Sequence, residues 1–230
     1  MSLLSNLPAA RLTLSYLLHE PSSLLPHAQV PTFLSLPLPL ATALPVKETP
    51  RIRALVLDKD NTLCPPETTM LHPSYLAKIE KIRASSEFSH SPHSMLIVSN
   101  TAGSTRSPAH EAEAKTLEAE LGIPVLRQHP DRKKPFCGPD VLRHFAEHGV
   151  TSNPAEVVVV GDRLSTDVLM AREMGAWSLW IRDGFRNPEV PGRDFRGALA
   201  RMEVKFEGLM RAVFGQRALL PFSFVSSQKR

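Results

Sequence analysis

Four apolar residues, Ala54 to Leu57, run without a break into two carboxylates, Asp58 and Asp60, set one residue apart. A continuous apolar run of this length predicts a strand buried on both faces, the kind found inside a parallel sheet. Its carboxyl end then delivers Asp58 and Asp60 to the edge of the sheet where α/β folds hold their ligands. Two acids this close repel unless a cation lies between them, so the pair points to a Mg2+ site built from oxygen ligands. The same letters also suit a plain turn in which Asp58 and Asn61 cap the backbone. The rest of the chain has to decide between the two.

Two further apolar runs end in the same manner. Residues 95–98 lead into Ser99-Asn100-Thr101-Ala102-Gly103, and residues 155–160 lead into Gly161-Asp162-Arg163-Leu164-Ser165-Thr166-Asp167. Helical spacing is expected over 75–85, 109–121, 141–148 and from 167 to Gly175, with short strands over 123–126 and 177–181. Gly122 reads as a helix-terminating glycine. The acids of 109–121 and Lys115 read as a solvated face. Between the second and third runs lies the basic stretch Asp131-Arg132-Lys133-Lys134-Pro135, which taken alone is ordinary solvated surface.

Asp58-x-Asp60-x-Thr62 after a hydrophobic strand resembles the first motif of the haloacid dehalogenase superfamily of phosphohydrolases. Ser99-Asn100, a lysine before proline (Lys134, with Lys133 as the alternative) and Gly161-Asp162 to Asp167 resemble the other three, in order, over residues 51–185. The resemblance implies a Rossmann-like three-layer α/β/α sandwich with a central parallel sheet. It implies Asp58 as nucleophile, Asp60 as general acid and base, and Lys134 as the catalytic lysine. Mg2+ would be held by Asp58, the main-chain carbonyl of Asp60, and Asp162, with Asp167 orienting the site or capping the helix. Ser99, Asn100 and Thr62 would meet the phosphoryl group. The intervals between the motifs are filled by loops, helices and a strand, so no cap domain is expected. A capless site stays open and suits a substrate whose bulk remains outside.

A closer resemblance is to the mitochondrial phosphatidylglycerophosphatase group of fungi and its bacterial relatives. It is carried by Leu57-Asp58-Lys59-Asp60-Asn61-Thr62-Leu63, Ser99-Asn100, Lys134-Pro135, residues 161–167 and the Pro/Leu-rich lead-in 24–33. This implies removal of the terminal phosphate from phosphatidylglycerophosphate, for cardiolipin synthesis, at the matrix face of the inner mitochondrial membrane. Lys59 and Arg163 would then read the lipid's anionic head, with Arg106, Arg182 and Arg186 as rim contacts.

Composition bears on the partners. A formal charge of +4 favours anionic ones, phosphorylated substrates or acidic lipid surfaces among them. Aromatics at 6% give no aromatic–basic interleaving for single-stranded nucleic acid, so no nucleic-acid partner is expected. The two cysteines, Cys64 and Cys137, lack metal or disulfide spacing and read as small buried hydrophobes in a reducing compartment.

Three segments are expected: a Leu/Pro-rich segment 1–50, a phosphatase domain 51–200, and a C-terminal helix and tail 201–230. Leu4, Leu7, Arg11, Leu12, Leu14, Leu17 and Leu18 predict a short helix ended by Pro21. The lead-in is too short and too proline-rich to span a bilayer, and lacks the basic start of a secretory signal. It either docks on a membrane surface, as a peripheral association, or packs on its own domain. Helical spacing recurs over 193–211, and residues 219–222 read as a final docking contact. A capless phosphatase acting on phosphoprotein or nucleic-acid ends is the rival enzyme. A non-catalytic membrane adaptor is the rival from another class, disfavoured because a binding module has no need of the Asp58/Asp60 pair.

Overall fold

The computed structural model describes residues 7–190, 192, 194–215 and 217–227. Five parallel strands form one sheet: β1 (Ala28–Val30), β2 (Ala54–Leu57), β3 (Met95–Ile97), β4 (Val157–Gly161) and β5 (Trp177–Ile181). Their spatial order is β1-β5-β4-β2-β3. The helices are α1 (Leu7–His19), α2 (Pro73–Arg83), α3 (Pro108–Leu121), α4 (Gly138–Glu147), α5 (Leu169–Met174), α6 (Ala198–Ala212) and α7 (Phe222–Ser227). Pro73, Pro108 and Pro139 open their helices at positions whose N–H would have no partner in any case.

Strand alternation sorts the core into two layers. Leu55 and Leu57 of β2 face Ile79 and Ile82 of α2 and Leu117 and Leu121 of α3. Ala54 and Val56 face Val141 and Phe145 of α4 and Met170 and Met174 of α5. This is the expected α/β/α sandwich. The stretch between Asp58 and Ser99 holds α2, and that between Ser99 and Lys134 holds α3, with no folded cap in either.

Two expectations change. Residues 123–126 form only a bridge, Val125 beside Ile97, because Pro124 lacks the N–H that would extend the ladder. The helix after β4 opens on a wide π-type turn over Leu164–Val168 before α5 begins. Of the two arrangements expected for the lead-in, residues 21–50 adopt the packed one. β1 pairs with β5, Phe33, Leu36, Leu40 and Leu44 join the core beneath the sheet, and the Phe33 ring stacks on Tyr75 at 5.7 Å. Each such side chain contributes about 1.5–3 kcal/mol by burial, so residues 21–50 are bound into the domain by packing. The Glu87 carboxylate accepts the amide hydrogens of Leu40 and Ala41, at 2.5 and 2.9 Å. α1 keeps an outward apolar face, with Leu14, Leu17 and Leu18 exposed. Leu4 and Arg193 lie outside the described residues.

His27 fastens both ends of the chain to β5. Its Nδ1 accepts the Ser178 amide hydrogen at 3.0 Å, so the proton sits on Nε2, which donates to the Leu219 carbonyl at 3.0 Å. Burial pushes this imidazole down from 6.5 to about 4. The unfolded chain therefore takes up a proton that the folded chain refuses, and the stabilisation is complete above 6.5 and lost as pH falls toward 4. Between about pH 7 and pH 4 the native protein is expected to lose roughly 3 kcal/mol more than a His27→Gln variant, a difference that urea titrations at the two pH values measure directly.

Candidate active site

The site forms at the carboxyl ends of β2 and β4. Asp58 is the first residue beyond β2, and its amide donates to Val160 O, 2.9 Å away on β4. Asp162 follows β4 directly, and Asp167 comes round on the π-type turn. One carboxylate oxygen from each of Asp58, Asp162 and Asp167 lies within 4.8 Å of the others, and all three residues are buried. Gly161 is required here by close approach rather than by an unusual backbone angle. A Cβ at that position would collide with the Asp167 carboxylate.

Lys134 answers these charges. Its ammonium donates to Asp58 Oδ1 and, at 2.6 Å, to Asp167 Oδ1, and its side chain is 3% exposed. Burial opposes the charged ammonium, but the two carboxylates outweigh it and raise its affinity for the proton. Asp58 moves in the other direction. Burial, opposed by Lys134 and reinforced by Asp167 and Asp60, pushes its carboxyl up to about 7. Burial and then the neighbouring Asp58 and Asp167 raise Asp162 as well, against a hydrogen bond from Asn61.

Three buried carboxylates thus face one ammonium, and the arrangement is short of positive charge. Asp167 has both oxygens engaged, Oδ1 by Lys134 and Oδ2 by the Arg163 amide at 3.1 Å. Asp162 Oδ2 accepts from Asn61 Nδ2 at 2.6 Å. Among the described residues, Asp58 Oδ2 and Asp162 Oδ1 accept no hydrogen bond. Unengaged carboxylate oxygens in a site lacking positive charge fit a hard divalent cation.

Around this centre lies a second set of polar contacts. Asp60 Oδ1 accepts from Lys59 Nζ (2.6 Å) and the Glu67 amide (2.9 Å), and Oδ2 accepts from Thr101 Oγ1 (3.2 Å). Thr101 Oγ1 is 3.0 Å from Ser99 Oγ, linking the second motif to the first. Asn100 orients both lysines: its Oδ1 accepts the Lys134 amide hydrogen at 3.1 Å, and its carbonyl accepts Lys133 Nζ at 2.6 Å. Of the two candidate lysines, Lys134 is the one whose ammonium meets Asp58.

Against this geometry stand the comparisons with known proteins. Residues 8–186 match the family described as mitochondrial PGP phosphatase. The mitochondrial phosphatidylglycerophosphatase GEP4 of Saccharomyces cerevisiae is 44% identical over 183 residues, covering 80% of this chain and 91% of that protein. The chain belongs to the mitochondrial PGP phosphatase family. A probable mitochondrial phosphatidylglycerophosphatase of Schizosaccharomyces pombe is 31% identical over 172 residues, 74% of this chain and 79% of its own length. Phosphatidylglycerophosphate phosphatase 1 of Arabidopsis thaliana is 37% identical over 123 residues, 54% of this chain and 32% of that protein.

Within this family member, three expected substrate contacts fall elsewhere. Lys59 is fully buried, and its ammonium is clamped between Asp60 and Glu113 Oε1 (2.8 Å) with a third bond to Thr68 O, so no head group reaches it. Thr62 is also fully buried, and its hydroxyl faces inward with no hydrogen-bond partner. Arg163 turns toward α6, where Glu203 Oε2 accepts from its Nε at 3.2 Å. The same Glu203 accepts from the amides of Leu164 and Ser165, both at 3.1 Å. Arg182 is paired with Asp183 at 2.9 Å.

Asn61, Thr101, Glu113 and Glu203 were not marked as site residues in the sequence. Asn61 carried a usable signal, since asparagine tolerates the left-handed backbone it adopts (φ 61°). Glu113 had none, because one acid on a charged helix looks like any other.

Removing the Asp58 charge is expected to relieve the carboxylate cluster. In chelator, Asp58→Asn should raise stability by roughly 1–2 kcal/mol, a few degrees in Tm. Lys134→Ala should cost about 3–5 kcal/mol, because it leaves buried carboxylates without their cation. Thermal melts of the two variants in EDTA test the pair of signs, and destabilisation by both would contradict the charge imbalance.

Proposed function

We propose that this protein hydrolyses phosphatidylglycerophosphate to phosphatidylglycerol and phosphate, at the matrix face of the inner mitochondrial membrane, as a step toward cardiolipin. The observation that carries the reading is the buried Asp58–Lys134–Asp167–Asp162 constellation in a chain 44% identical to a named phosphatidylglycerophosphatase along 91% of that protein.

Asp58 attacks phosphorus in line, the bond to the lipid alkoxide breaks, and an aspartyl-phosphate forms. Asp60, carrying a proton, delivers it to the departing alcohol and then takes one from the water that hydrolyses the acyl-phosphate. Lys59 Nζ, at 2.6 Å, and Thr101 Oγ1, at 3.2 Å, hold the Asp60 side chain in place. Lys134 neutralises the phosphoryl oxygens, and Ser99 supplies a hydroxyl from the opposite side. Asp58, Asp162 and the main-chain carbonyl of Asp60 would hold Mg2+, which would supply the positive charge that three carboxylates and a phosphate together require.

Reading of the second phosphate passes from Lys59 to the rim. Lys133 is fixed on the Asn100 carbonyl, and Arg106 lies close enough to depress its proton affinity, second to burial. Two cations beside the motif that holds the phosphoryl group suit the phosphodiester of a lipid head group. Membrane contact is peripheral in this reading, since no helix among the described residues is long and apolar enough to cross a membrane. Exposed Leu14, Leu17 and Leu18 on α1, and Leu199, Met202 and Leu209 on α6, supply apolar surface. α6 packs beside the π-type turn that carries Asp167, so its surface flanks the catalytic edge, while the carboxyl half of α1 runs along α5, where Tyr16 meets Glu173.

Phosphate release should depend on Mg2+, disappear in Asp58→Asn, and favour phosphatidylglycerophosphate in mixed micelles over phosphatidic acid, a phosphopeptide and a nucleotide monophosphate. Equal turnover of the soluble substrates would leave the chemistry standing and remove the lipid assignment. Arg106→Gln is expected to raise KM for the lipid about tenfold with little change in kcat, since it removes binding that the ground state and the transition state share equally. A fall in kcat alone would place Arg106 in a different role.

A further inference from the structure

The amino ends of the strands, on the opposite edge of the sheet from Asp58, carry a group of side chains that the phosphatase reaction does not use. His93 lies two residues before β3, while His144 and His148 lie one turn apart at the carboxyl end of α4. Each contributes one ring nitrogen to a set lying within 4.8 Å of one another. The rings are close, 4.0 Å between the centroids of His93 and His148 and 4.3 Å between those of His144 and His148.

Their hydrogen bonding is unusual for clustered histidines. His93 Nδ1 and His144 Nε2 are buried nitrogens with no hydrogen-bond partner. Such groups normally find one, and leaving two side by side costs free energy that nothing in the cluster recovers. His148 Nδ1 lies 2.8 Å from the His144 carbonyl, which can only accept, so the proton is on Nδ1 and the Nε2 lone pair is free. A backbone carbonyl fixing one imidazole nitrogen so that the other presents a lone pair is the usual support of a metal-ligating histidine.

We infer that His93, His144 and His148 form a binding site for a transition-metal dication, with Zn2+ its natural occupant. Three neutral imidazoles match the nitrogen donor set that zinc prefers, and a fourth position is left to water. At a Zn–N distance of about 2.1 Å, tetrahedral ligands sit roughly 3.4 Å apart, so the nitrogens close by little more than about 1 Å. His93 on a loop and His148 at a helix end both have room for that movement. Mg2+ has no affinity for such a set, because it demands oxygen ligands. The bound ion would staple the loop before β3 to the end of α4, across two segments that the sheet brings together only at this edge. This site is independent of the phosphatase reading.

The test uses the full chain without a polyhistidine tag, stripped with chelator and returned to excess Mg2+ so that the carboxylate site is filled. Calorimetric titration with Zn2+ should show one ion per chain, and Co2+ should give the intense visible bands of a tetrahedral nitrogen site. His148→Gln and His93→Asn should each weaken Zn2+ binding by at least about tenfold, while Asp162→Asn leaves it unchanged. Zn2+ at about a hundredfold over its Kd should raise Tm by roughly 5–10 °C in the native chain and not in His148→Gln. Near-ultraviolet circular dichroism checks that the variants are folded. Three results would overturn the site: no Zn2+ binding, binding undiminished in both histidine variants, or binding lost in Asp162→Asn but kept in His148→Gln.

Discussion

The ammonium of Lys134, held between Asp58 and Asp167, is the contact on which the rest of the site depends. It joins the end of β2 to the turn after β4 through a lysine that belongs to neither. Without it, carboxylates from two strands would converge in a buried volume with no protein cation beside them, and each would take up a proton or draw in water. With it, Asp167 is pinned tightly enough to exclude a side chain at Gly161, and its second oxygen orders the Arg163 amide where the π-type turn begins. One ion pair therefore shapes the backbone as well as the electrostatics.

The pair compensates only part of the charge, and the remainder fits a divalent cation. Asp58 raised to about 7 and Asp162 raised with it express the same tension from the proton's side. The fold tolerates it because the carboxylates sit at strand ends already fixed by a dry core, with Leu55, Leu57, Val158 and Val160 completely buried directly behind them. Stability supplied by packing allows a catalytic edge that is locally unfavourable.

Local patterns made the centre of this arrangement readable. Each acid-bearing run ends an apolar strand, and strand ends in a parallel sheet converge, so Asp58, Asp162 and Asp167 could be brought together from sequence. The lead-in was harder. Its prolines and leucines look the same whether they lie on a lipid surface or under a sheet, and only the register of Ala28 against Leu179 distinguishes the two. Lys59, Thr62 and Arg163 turn away from the expected contacts for a related reason. Position within a motif says that a residue is near the reaction, but not which way it points. Lys59 and Asp60 are adjacent, yet the lysine turns inward to meet Glu113 on a helix more than fifty residues away, a pairing that no local pattern encodes.

That inward turn has a consequence for substrate recognition. Lys59 and Arg163 are the basic residues inside the first and fourth motifs, and both pair with internal acids, Asp60 with Glu113 and Glu203 respectively. These two charges therefore build the edge of the site and hold α6 against it; on the proposed reading, selecting a lipid head group falls to other cations. Lys133 and Arg106 occupy that position, at the mouth rather than the floor. No cap interrupts the motif intervals, and on the proposed reading the exposed apolar residues of α6 beside the same edge would meet a surface rather than a free solute. On that reading a buried, charge-starved floor and a basic rim divide the labour by which a site with no lid chooses a substrate anchored in a bilayer.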